Sequence, residues 1–422
     1  MTVATGVGKL VAWKKESYLA GVTAVSTTGA QYVRRVTSDI DLSKDTYESN
    51  EIRADYQVGD MRHGMRKVGG SIKGELAPGS YSSFIGALLR KEWVAAPVTV
   101  GVTSITGAGT GATRTLTRTQ GNYLTDGFKI GHVVRVSAAT SHVTADLNKN
   151  LFVTGVVTSA LTVIPRDGIF TSAAMTTVTI TAPGFHCWTP VSGHTNASYS
   201  IEHYYSDITK SELFTGCRVN SVALGLPATG MATCDVNVLG AGFNEGFTGT
   251  VGAPVYGTVA GTAQYFTTPT VVGTAGLLTA VAGVIIVNGT QVATVTGLTI
   301  DVQGGMTTGA VVGSNMTPDV FAGRVKVSGQ LTAYFDGVTM RDLFVNETAF
   351  GIQCVIYSDL AISGHFISIA MPNCKANGAT KSDGEQGLSM TIPFVALYNP
   401  VAADLSTTAT TLLIQDSAAT AT

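Results

Sequence analysis

The chain has 422 residues, of which 45% are hydrophobic and only 13% are charged, and its 26 basic residues nearly balance its 28 acidic ones. A protein that grips nucleic acid through the phosphates needs a basic excess, so this balance argues against tight DNA or RNA binding. The 49 glycines and the abundance of Thr and Val are typical of a β-rich protein with many turns. Because so few charges leave much of the surface neutral, we expect large subunit interfaces to cover part of it.

The length predicts more than one domain, and the first 50 residues are the least patterned part of the chain. We interpret residues 1–50 as an N-terminal arm with a first strand at residues 32–42. The start of the chain lacks a basic segment followed by an apolar core, so no signal peptide is expected. Apolar runs such as residues 277–287 are interrupted by Thr and Gly and are too short to span a bilayer. We therefore expect no contact with a membrane.

Residues 51–94 predict the first part of a module that occurs twice. A strand at residues 52–57 leads into a polar loop, a second strand at residues 68–76 and a helix that Ser80 can cap. The loop carries Asp60, Arg62, His63 and Arg66. The second strand alternates, and its polar face carries Ser71, Lys73 and Glu75. The helix has one apolar stripe, which must pack on a sheet or on another subunit and consists of Tyr81, Phe84, Ile85, Leu88 and Leu89.

Residues 95–185 change in texture and predict a small β-domain inserted into this module. Short strands follow one another at the spacing of a small barrel or sandwich, and residues 126–136 predict a turn that feeds a strand. Residues 186–246 then complete the first module. They contain a predicted hairpin that pairs residues 218–226 with residues 231–239.

A variable segment rich in Gly and Thr, residues 247–297, precedes a second module at residues 298–398. Its order is again strand, long loop, strand, tight turn and helix. The loop carries Asn315 and Asp319, the polar strand face carries Lys326, Ser328 and Gln330, and the helix stripe includes Leu343 and Phe344. A second hairpin is predicted between residues 365–371 and 387–394. Tyr-Ser-Asp precedes each hairpin, at residues 205–207 and 357–359, and residues 399–422 form a C-terminal arm rich in Thr and Ala.

No constellation of catalytic residues emerges from the sequence. The glycines at residues 107–111 lack the spacing of a phosphate-binding loop, and His186, Cys187 and His194 lack the paired spacing of a metal site. GxSxG and HExxH motifs and a convincing carboxylate pair are absent. The five cysteines predict buried, reduced thiols, while a bridge between Cys217 and Cys234 across the first hairpin stays open. We therefore expect no catalytic, cofactor-binding or metal-binding residues and no enzymatic activity.

Several short segments recur in an order that resembles a known family. They are residues 49–55, 62–64, 70–76, 205–239, 312–315 and 320–323, and residues 126–136 are similar to small β-modules of phage tail proteins. Their order resembles the tail tube proteins, or major tail proteins, of long-tailed, siphovirus-type bacteriophages. The resemblance implies a mainly β fold, with two tandem sandwich or barrel modules of four strands and one helix each. It also implies stacked rings whose subunits give strands to a continuous inner barrel, with the helices outside.

The resemblance implies a structural virion protein that polymerises into the tail tube, the conduit for genome delivery into the host. The polar strand residues Ser71, Lys73, Glu75, Lys326, Ser328 and Gln330 would then face the lumen or a polar interface. The loops at residues 58–69 and 303–323 would connect rings, and Tyr81, Phe84, Ile85, Leu88, Leu343 and Phe344 would pack the helices. Two modules per chain favour trimeric rings with pseudo-sixfold symmetry over hexameric rings.

The partners implied by the resemblance are other copies of the chain, tail terminator and tail-tip proteins and, transiently in the lumen, the tape measure protein and genomic DNA. Assembly is expected in the cytoplasm of the host bacterium, without a cofactor. Two alternatives from other classes stay open. A capsid decoration protein shares the low charge and the β-richness, but it gives no reason for the duplicated order. A cell-surface adhesin predicts a signal peptide and clustered exposed aromatic residues, which the sequence does not show.

Overall fold

A computed structural model describes residues 3–17, 25–108, 113–140, 142–171, 174–243, 264–273, 275–315, 317–335, 337, 339–359, 361–383, 387–400 and 406–420. Over these residues the protein is mainly β, as predicted, and has two α-helices, α1 (Ser82–Leu89) and α2 (Thr339–Val345). Short 3-10 turns lie at Thr144–Asp146 and Ala280–Ala282. No helix in the described part of the chain is long and apolar enough to span a membrane.

The strands of the first half of the chain fall into three groups. The first group is β1 (Lys9–Lys15), β2 (Gln31–Tyr32), β3 (Thr37–Ser38), β4 (Asp41–Glu48), β5 (Met61–Glu75) and β6 (Val94–Ala95). The second is β7 (Val98–Ala108), β8 (Arg114–Arg118), β9 (Val133–Thr140), β10 (Leu151–Val157), β11 (Ala160–Pro165) and β12 (Ala174–Thr181). The third is β13 (Phe185–Trp188), β14 (Tyr199–Tyr205), β15 (Lys210–Pro227), β16 (Thr233–Gly240) and β17 (Gly242–Phe243).

The second half of the chain adds twelve strands among its described residues. Those before α2 are β18 (Thr270–Val271), β19 (Val284–Val287), β20 (Thr290–Gln291), β21 (Val295–Gln303), β22 (Thr307–Thr308), β23 (Val320–Phe321) and β24 (Lys326–Tyr334). Those after α2 are β25 (Phe350–Tyr357), β26 (Phe366–Ala376), β27 (Thr380–Lys381), β28 (Ser389–Ala396) and β29 (Leu413–Asp416).

One antiparallel sheet, which we call the main sheet, runs through both halves. Its order is β4, β5, β16, β15, β21, β24 and β28, and β28 then pairs with β27 and with the last residues of β26. The first half of the chain thus contributes β4, β5, β16 and β15. The second half contributes β21, β24, β28 and the segment that contains the end of β26 and β27. The pairing of β15 with β21 joins the two halves.

The hydrophobic core lies on one face of the main sheet and includes α1. Alternate residues of the sheet, such as Ile72, Val236 and Ile300, are fully buried there. Phe84 of α1 packs between Trp13 and Tyr199, with ring centroids 5.1 and 5.3 Å away. Burial of this many large apolar side chains is the main stabilising contribution, at about 25 cal/mol per Å² of apolar surface.

The inserted segment forms a separate closed barrel in the order β10, β11, β8, β7, β12 and β9. The barrel has its own core, and polar contacts fix it on the second half of the chain. The buried Gln415 side chain accepts a hydrogen bond from the Val133 N–H (2.8 Å) and donates to the Val133 carbonyl (3.1 Å). The Ser368 hydroxyl donates to the Gly131 carbonyl (2.6 Å). An insertion in one half is thus held by the other half.

The predicted strand at residues 52–57 is wrong. Residues 49–60 form the tip of a long hairpin between β4 and β5, and Ile52 and Tyr56 are each 99% exposed. The strand lies earlier, because β4 is a polar edge strand in which only Leu42 packs against the core, and such a strand shows little apolar periodicity. Most of the predicted loop at residues 58–69 accordingly belongs to β5. The predicted strand at residues 32–42 is divided among β2, β3 and the start of β4.

Three further expectations need correction. The first hairpin has the predicted pairing, but residues 366–371 pair with β25 and β29, and only residues 374–376 of β26 reach β28. Ser80 does not cap α1; its hydroxyl donates to the Ala77 carbonyl (2.6 Å) and closes the preceding turn. Cys217 and Cys234 are buried free thiols, since Cys234 lies opposite Leu224 and Cys217 opposite Tyr199.

Candidate functional site: the polar face and the edges of the main sheet

The face of the main sheet opposite the core is polar. The six residues that the sequence assigned to a polar strand face all lie on β5 and β24, at positions that alternate with core residues. Rows of directly opposite residues cross this face, and one row consists of Lys73, Asp235, Ala223, Asp301, Ser328 and Val395. Lys73 and Asp235 form an ion pair at 3.1 Å. Ser, Thr, Gln and Asn fill most neighbouring positions, so the face is polar without a dominant charge.

Ser71 is the one buried member of the predicted set. Asp39 covers it and accepts hydrogen bonds from both its N–H and its hydroxyl. The backbone hydrogen bond from Ser71 lowers the pKa of Asp39, because it stabilises the carboxylate. This contact fixes the segment between β3 and β4 on β5. The other five residues are exposed or half-buried.

The predicted loop residues occupy two different environments. Asp60 ends the hairpin tip and pairs with Arg62 at 2.7 Å, while Arg62, His63 and Arg66 lie on β5. Asn315 and Asp319 belong to the loop between β21 and β24. The Asn315 carbonyl accepts a hydrogen bond from the Arg66 N–H (2.8 Å), so the second loop contacts the first hairpin within one chain.

The helix residues divide in the same way. Tyr81, Phe84, Ile85 and Leu88 are all in the core beside or within α1. In α2, Leu343 is half-buried against the core and Phe344 is 40% exposed. The apolar stripe of the first helix is therefore covered within the chain, whereas that of the second is only partly covered.

The two halves match residue by residue, which is a closer correspondence than the repeated order of elements predicted from the sequence. Ile40-Asp41-Leu42 before the first hairpin corresponds to Ile300-Asp301-Val302 before the second. Asp41 faces Gly69 on β5, and Asp301 faces Ser328 on β24. Lys67-Val68 on β5 and Lys326-Val327 on β24 lie at the same offset from these pairs. Once the pairing register is known, these short identities are visible in the sequence as well.

The same correspondence extends to the later strands of each half. Cys217-Arg218-Val219-Asn220 of β15 corresponds to Cys374-Lys375-Ala376-Asn377 of β26 and the residue that follows. Leu224 pairs with Cys234 in the first half, and Lys381 pairs with Met390 in the second. Ala223 likewise faces Asp235 where Thr380 faces Thr391. Between each strand of the first half and its counterpart in the second half, the residue numbers differ by a constant value. The halves are therefore two copies of one four-stranded unit.

The two outer edges of the main sheet differ from its internal junction. Among the described residues β4 pairs with β5 alone, and β27 pairs with β28 alone. Both edges therefore present backbone N–H and C=O groups that another strand can pair with. Residues 41–48 are mostly exposed, as are Lys375, Asn377 and residues 380–383.

The buried titratable groups are structural. Burial raises the pKa of Cys187, Cys354 and Cys374 to about 12, so these thiols are unreactive at neutral pH. Burial also raises the pKa of Glu202, whose carboxyl group accepts hydrogen bonds from Ser211 and from the backbone of Tyr265 and Phe266. Within the described ranges no cluster of three or more His, Cys, Asp or Glu side chains could hold a metal ion. The contacts of Glu202 thus tie the segment at Tyr265 and Phe266 to β14 and β15.

A mainly β chain that carries two copies of one sheet unit and leaves both sheet edges open has the features of a self-assembling structural protein. Comparison with protein-family models gives a match to the phage tail tube protein family over residues 6–409. The chain therefore belongs to the phage tail tube protein family, a family of structural components of the virion. No curated protein matches the chain. The match confirms the resemblance found in the sequence and disfavours the decoration-protein and adhesin alternatives.

Proposed function

We propose that the protein polymerises as stacked rings into the tail tube and that the tube conducts the genome into the host. The observation that carries this proposal is the duplicated main sheet with its two open edges. The two units of the sheet match, so the last strand of one copy can pair with the first strand of a second copy as β15 pairs with β21 inside the chain. The strand order of the sheet then continues unchanged from one copy to the next. Such head-to-tail contacts close into a ring when the rotation per copy divides a full turn, and closure removes every open edge.

We favour a ring of three copies with pseudo-sixfold symmetry. Each chain supplies two four-stranded units, so three chains supply six similar units around one axis. The curvature between the units of one chain then equals the curvature between neighbouring chains. A hexameric ring would contain twelve units and a correspondingly wider lumen, since barrel diameter grows with strand number.

The polar face of the main sheet is the proposed lumen wall. Lys73 and Lys326 lie there among Glu75, Asp235 and Asp301, so charges of both signs are interspersed with neutral polar residues. A wall with a strong basic excess would hold the DNA backbone, whereas a nearly neutral polar wall lets it slide. The core face and α1 then lie on the outside of the tube.

The projecting hairpin tip is the proposed contact between rings. Its residues 50–59 are exposed, and they combine acidic, basic and apolar side chains in one short segment. The tail terminator and tail-tip proteins would cap the two ends of the stack, and the tape measure protein would occupy the lumen before the DNA. Assembly would take place in the host cytoplasm and leave the protein in the siphovirus-type virion.

Electron microscopy of the purified chain, with rotational symmetry measured in end-on views, tests this proposal. We expect hollow tubes with three-fold rings of six similar sheets. Six-fold rings of intact chains would overturn the trimer and keep the tube. Compact monomers under all salt and crowding conditions would overturn self-assembly into a tube.

A further inference from the structure

The junction between the two halves of the chain shows how one unit receives the next. β15 pairs with β21 from Ser221 opposite Gln303 to Pro227 opposite Gly297. Beyond the paired strands, the Gly304 N–H donates to the Asn220 carbonyl (2.7 Å) and the Met306 N–H donates to the Asn220 side chain (2.9 Å). Asn220 therefore holds the start of the incoming loop by two hydrogen bonds.

Arg218 holds the end of the same loop. Its guanidinium donates to the Val320 carbonyl and lies 3.8 Å from the Asp319 carboxylate. Only 5% of Arg218 is exposed, because the loop of the second half covers it. The pair Arg218 and Asn220 thus forms a receptor for a hairpin that arrives from the neighbouring unit.

The second half carries the same receptor in an open state. Lys375 and Asn377 occupy the positions of Arg218 and Asn220. They follow the buried Cys374 by one and three residues, as Arg218 and Asn220 follow the buried Cys217. Both Lys375 and Asn377 are exposed. The strand segment that follows them pairs on one side with β28, and in the described part of the chain its other side has no strand.

The first hairpin carries the matching ligand groups. Ser43 faces Lys67 on β5, and Gln303 faces Lys326 on β24, so Ser43 and Gln303 hold matching positions. One and three residues further on, Lys44 and Thr46 therefore match Gly304 and Met306. Asp60 takes the position of Asp319. The two aspartates share a local geometry, since each carboxylate accepts a hydrogen bond from the next N–H in the chain, at 2.8 Å from Met61 and 2.7 Å from Val320.

We propose that the open receptor binds the β4–β5 hairpin of a second copy in the same ring. Residues 40–43 of the second copy, at the start of β4, pair with residues 378–381 in the register of the internal junction, which places Asp41 opposite Thr380. Lys375 of one copy forms an ion pair with Asp60 of the next, and Asn377 accepts hydrogen bonds from the N–H groups of Lys44 and Thr46. This inference rests on the proposed ring assembly, and it specifies the contact between copies at the level of residues.

A cysteine pair tests the register. Directly opposite residues have Cβ atoms roughly 5 Å apart, within reach of a disulfide, whereas diagonal neighbours are about 7–8 Å apart. We would oxidise assembled full-length chains that carry Asp41→Cys with Thr380→Cys, and compare them with a control that carries Asp41→Cys with Ser382→Cys. The two sites lie at opposite edges of one sheet, roughly 34 Å apart along the sheet at about 4.8 Å per strand spacing, so a bond within one chain is excluded.

We expect the first pair to give covalent oligomers that end at three chains, at least about tenfold more than the control pair gives. Equal yields from both pairs, or no covalent product in preparations that contain tubes, would overturn the register while leaving the tube intact. A wild-type chain that forms no tubes would instead overturn the proposed function. The native thiols do not interfere, because the five cysteines are buried.

A charge exchange tests the ion pair. Lys375→Glu and Asp60→Lys should each raise the protein concentration needed for tube assembly by roughly two- to fivefold, the range expected of one exposed ion pair. The double variant should return this concentration towards the wild-type value. Lys210→Glu, at an exposed position at the start of β15, is the matched control and should have no such effect. Double variants that assemble no better than the worse single variant would overturn the pairing of Lys375 with Asp60.

Discussion

The first and second halves of the main sheet have the same strand order but hold their helices differently. α1 is seated in the core, where Phe84 contacts Trp13 and Tyr199. α2 has no fully buried residue among its described side chains, and Phe344 and Val345 are exposed. The halves also differ by the barrel, which lies between α1 and β13 in the first half, whereas α2 leads directly into β25 in the second.

This difference shows that strand register and helix packing are constrained to different degrees. Strand register is the same in both halves, because a shift of one residue would move every side chain to the opposite face of the sheet. Helix packing has no such constraint, since the apolar stripe of a helix can be covered by whichever strands lie nearby. The first helix must also support β13 beside the barrel, and it is the more deeply buried of the two.

The largest expected effect contrasts the two helices. Phe84→Ala should reduce the free energy of unfolding by about 3–5 kcal/mol, because it empties a fully buried aromatic site. Phe344→Ala, at a site that is 40% exposed, should cost less than about 1 kcal/mol. Urea unfolding followed by tryptophan fluorescence measures both losses. Similar losses for the two variants would show that the helices are held equally.

The next-largest expected effect is a loss of stability in acid, caused by two buried histidines, one just before β9 of the barrel and one in β13. His132 and His186 lie with ring centroids 5.5 Å apart, and burial lowers the pKa of His132 to about 3 and of His186 to about 4. The unfolded chain binds these protons near pH 6.5 and the native state does not, so stability falls as the pH decreases from 6.5 towards 4. For His186 alone the loss would reach about 3 kcal/mol at 1.36 kcal/mol per pKa unit.

Asp416 acts in the opposite direction. Its carboxylate accepts hydrogen bonds from the N–H groups of Gly79 (2.8 Å) and Ala418 (2.9 Å), yet burial dominates and raises its pKa to about 6. The native state therefore gains a proton near pH 6, before the unfolded state does near pH 3.8, and stability rises over that interval as the pH falls. The two effects partly cancel in the wild-type chain.

Single substitutions should separate these opposing effects. His186→Gln should weaken the loss of stability between pH 6.5 and 4, and Asp416→Asn should steepen it, each by roughly 1 kcal/mol per pH unit. The measurement is the slope of the unfolding free energy against pH, which is independent of any uniform loss caused by the substitution. Parallel slopes in all three proteins would exclude both groups as the source of acid sensitivity.

The smallest expected effect compares one cross-strand pair in each half. Lys73 faces Asp235 in the first half, and Thr332 faces Thr391 at the matching position in the second, with hydroxyl oxygens 3.5 Å apart. Double-mutant cycles to Ala should give coupling energies below about 1 kcal/mol for both pairs. Salt should weaken the coupling of the charged pair alone, because screening acts on ions and not on neutral hydroxyl groups. Equal salt dependence would mean that the Lys73 and Asp235 side chains do not pair in solution.

Much of the architecture could be predicted from local patterns. The alternation of β5 and β24, the first hairpin and the apolar stripe of α1 were all recognisable, because each depends on residues close together in the chain. The tip at residues 49–60 could not be placed, since its apolar residues Ile52, Tyr56 and Val58 imitate a strand while β4 itself is polar. The residue-by-residue match of the two halves was present in the sequence but was too sparse to recognise without the pairing register.

By itself, the sequence determined a mainly β protein with a repeated order of elements, because side-chain periodicity and turn residues act locally. The tertiary structure alone decided that β15 pairs with β21 and that the barrel rests on the opposite half through Gln415 and Ser368. It also decided which edges of the sheet stay open among the residues that the structure describes. These features depend on hydrogen bonds between residues far apart in the chain, and such partners are selected by the packing of the whole core rather than by any local pattern.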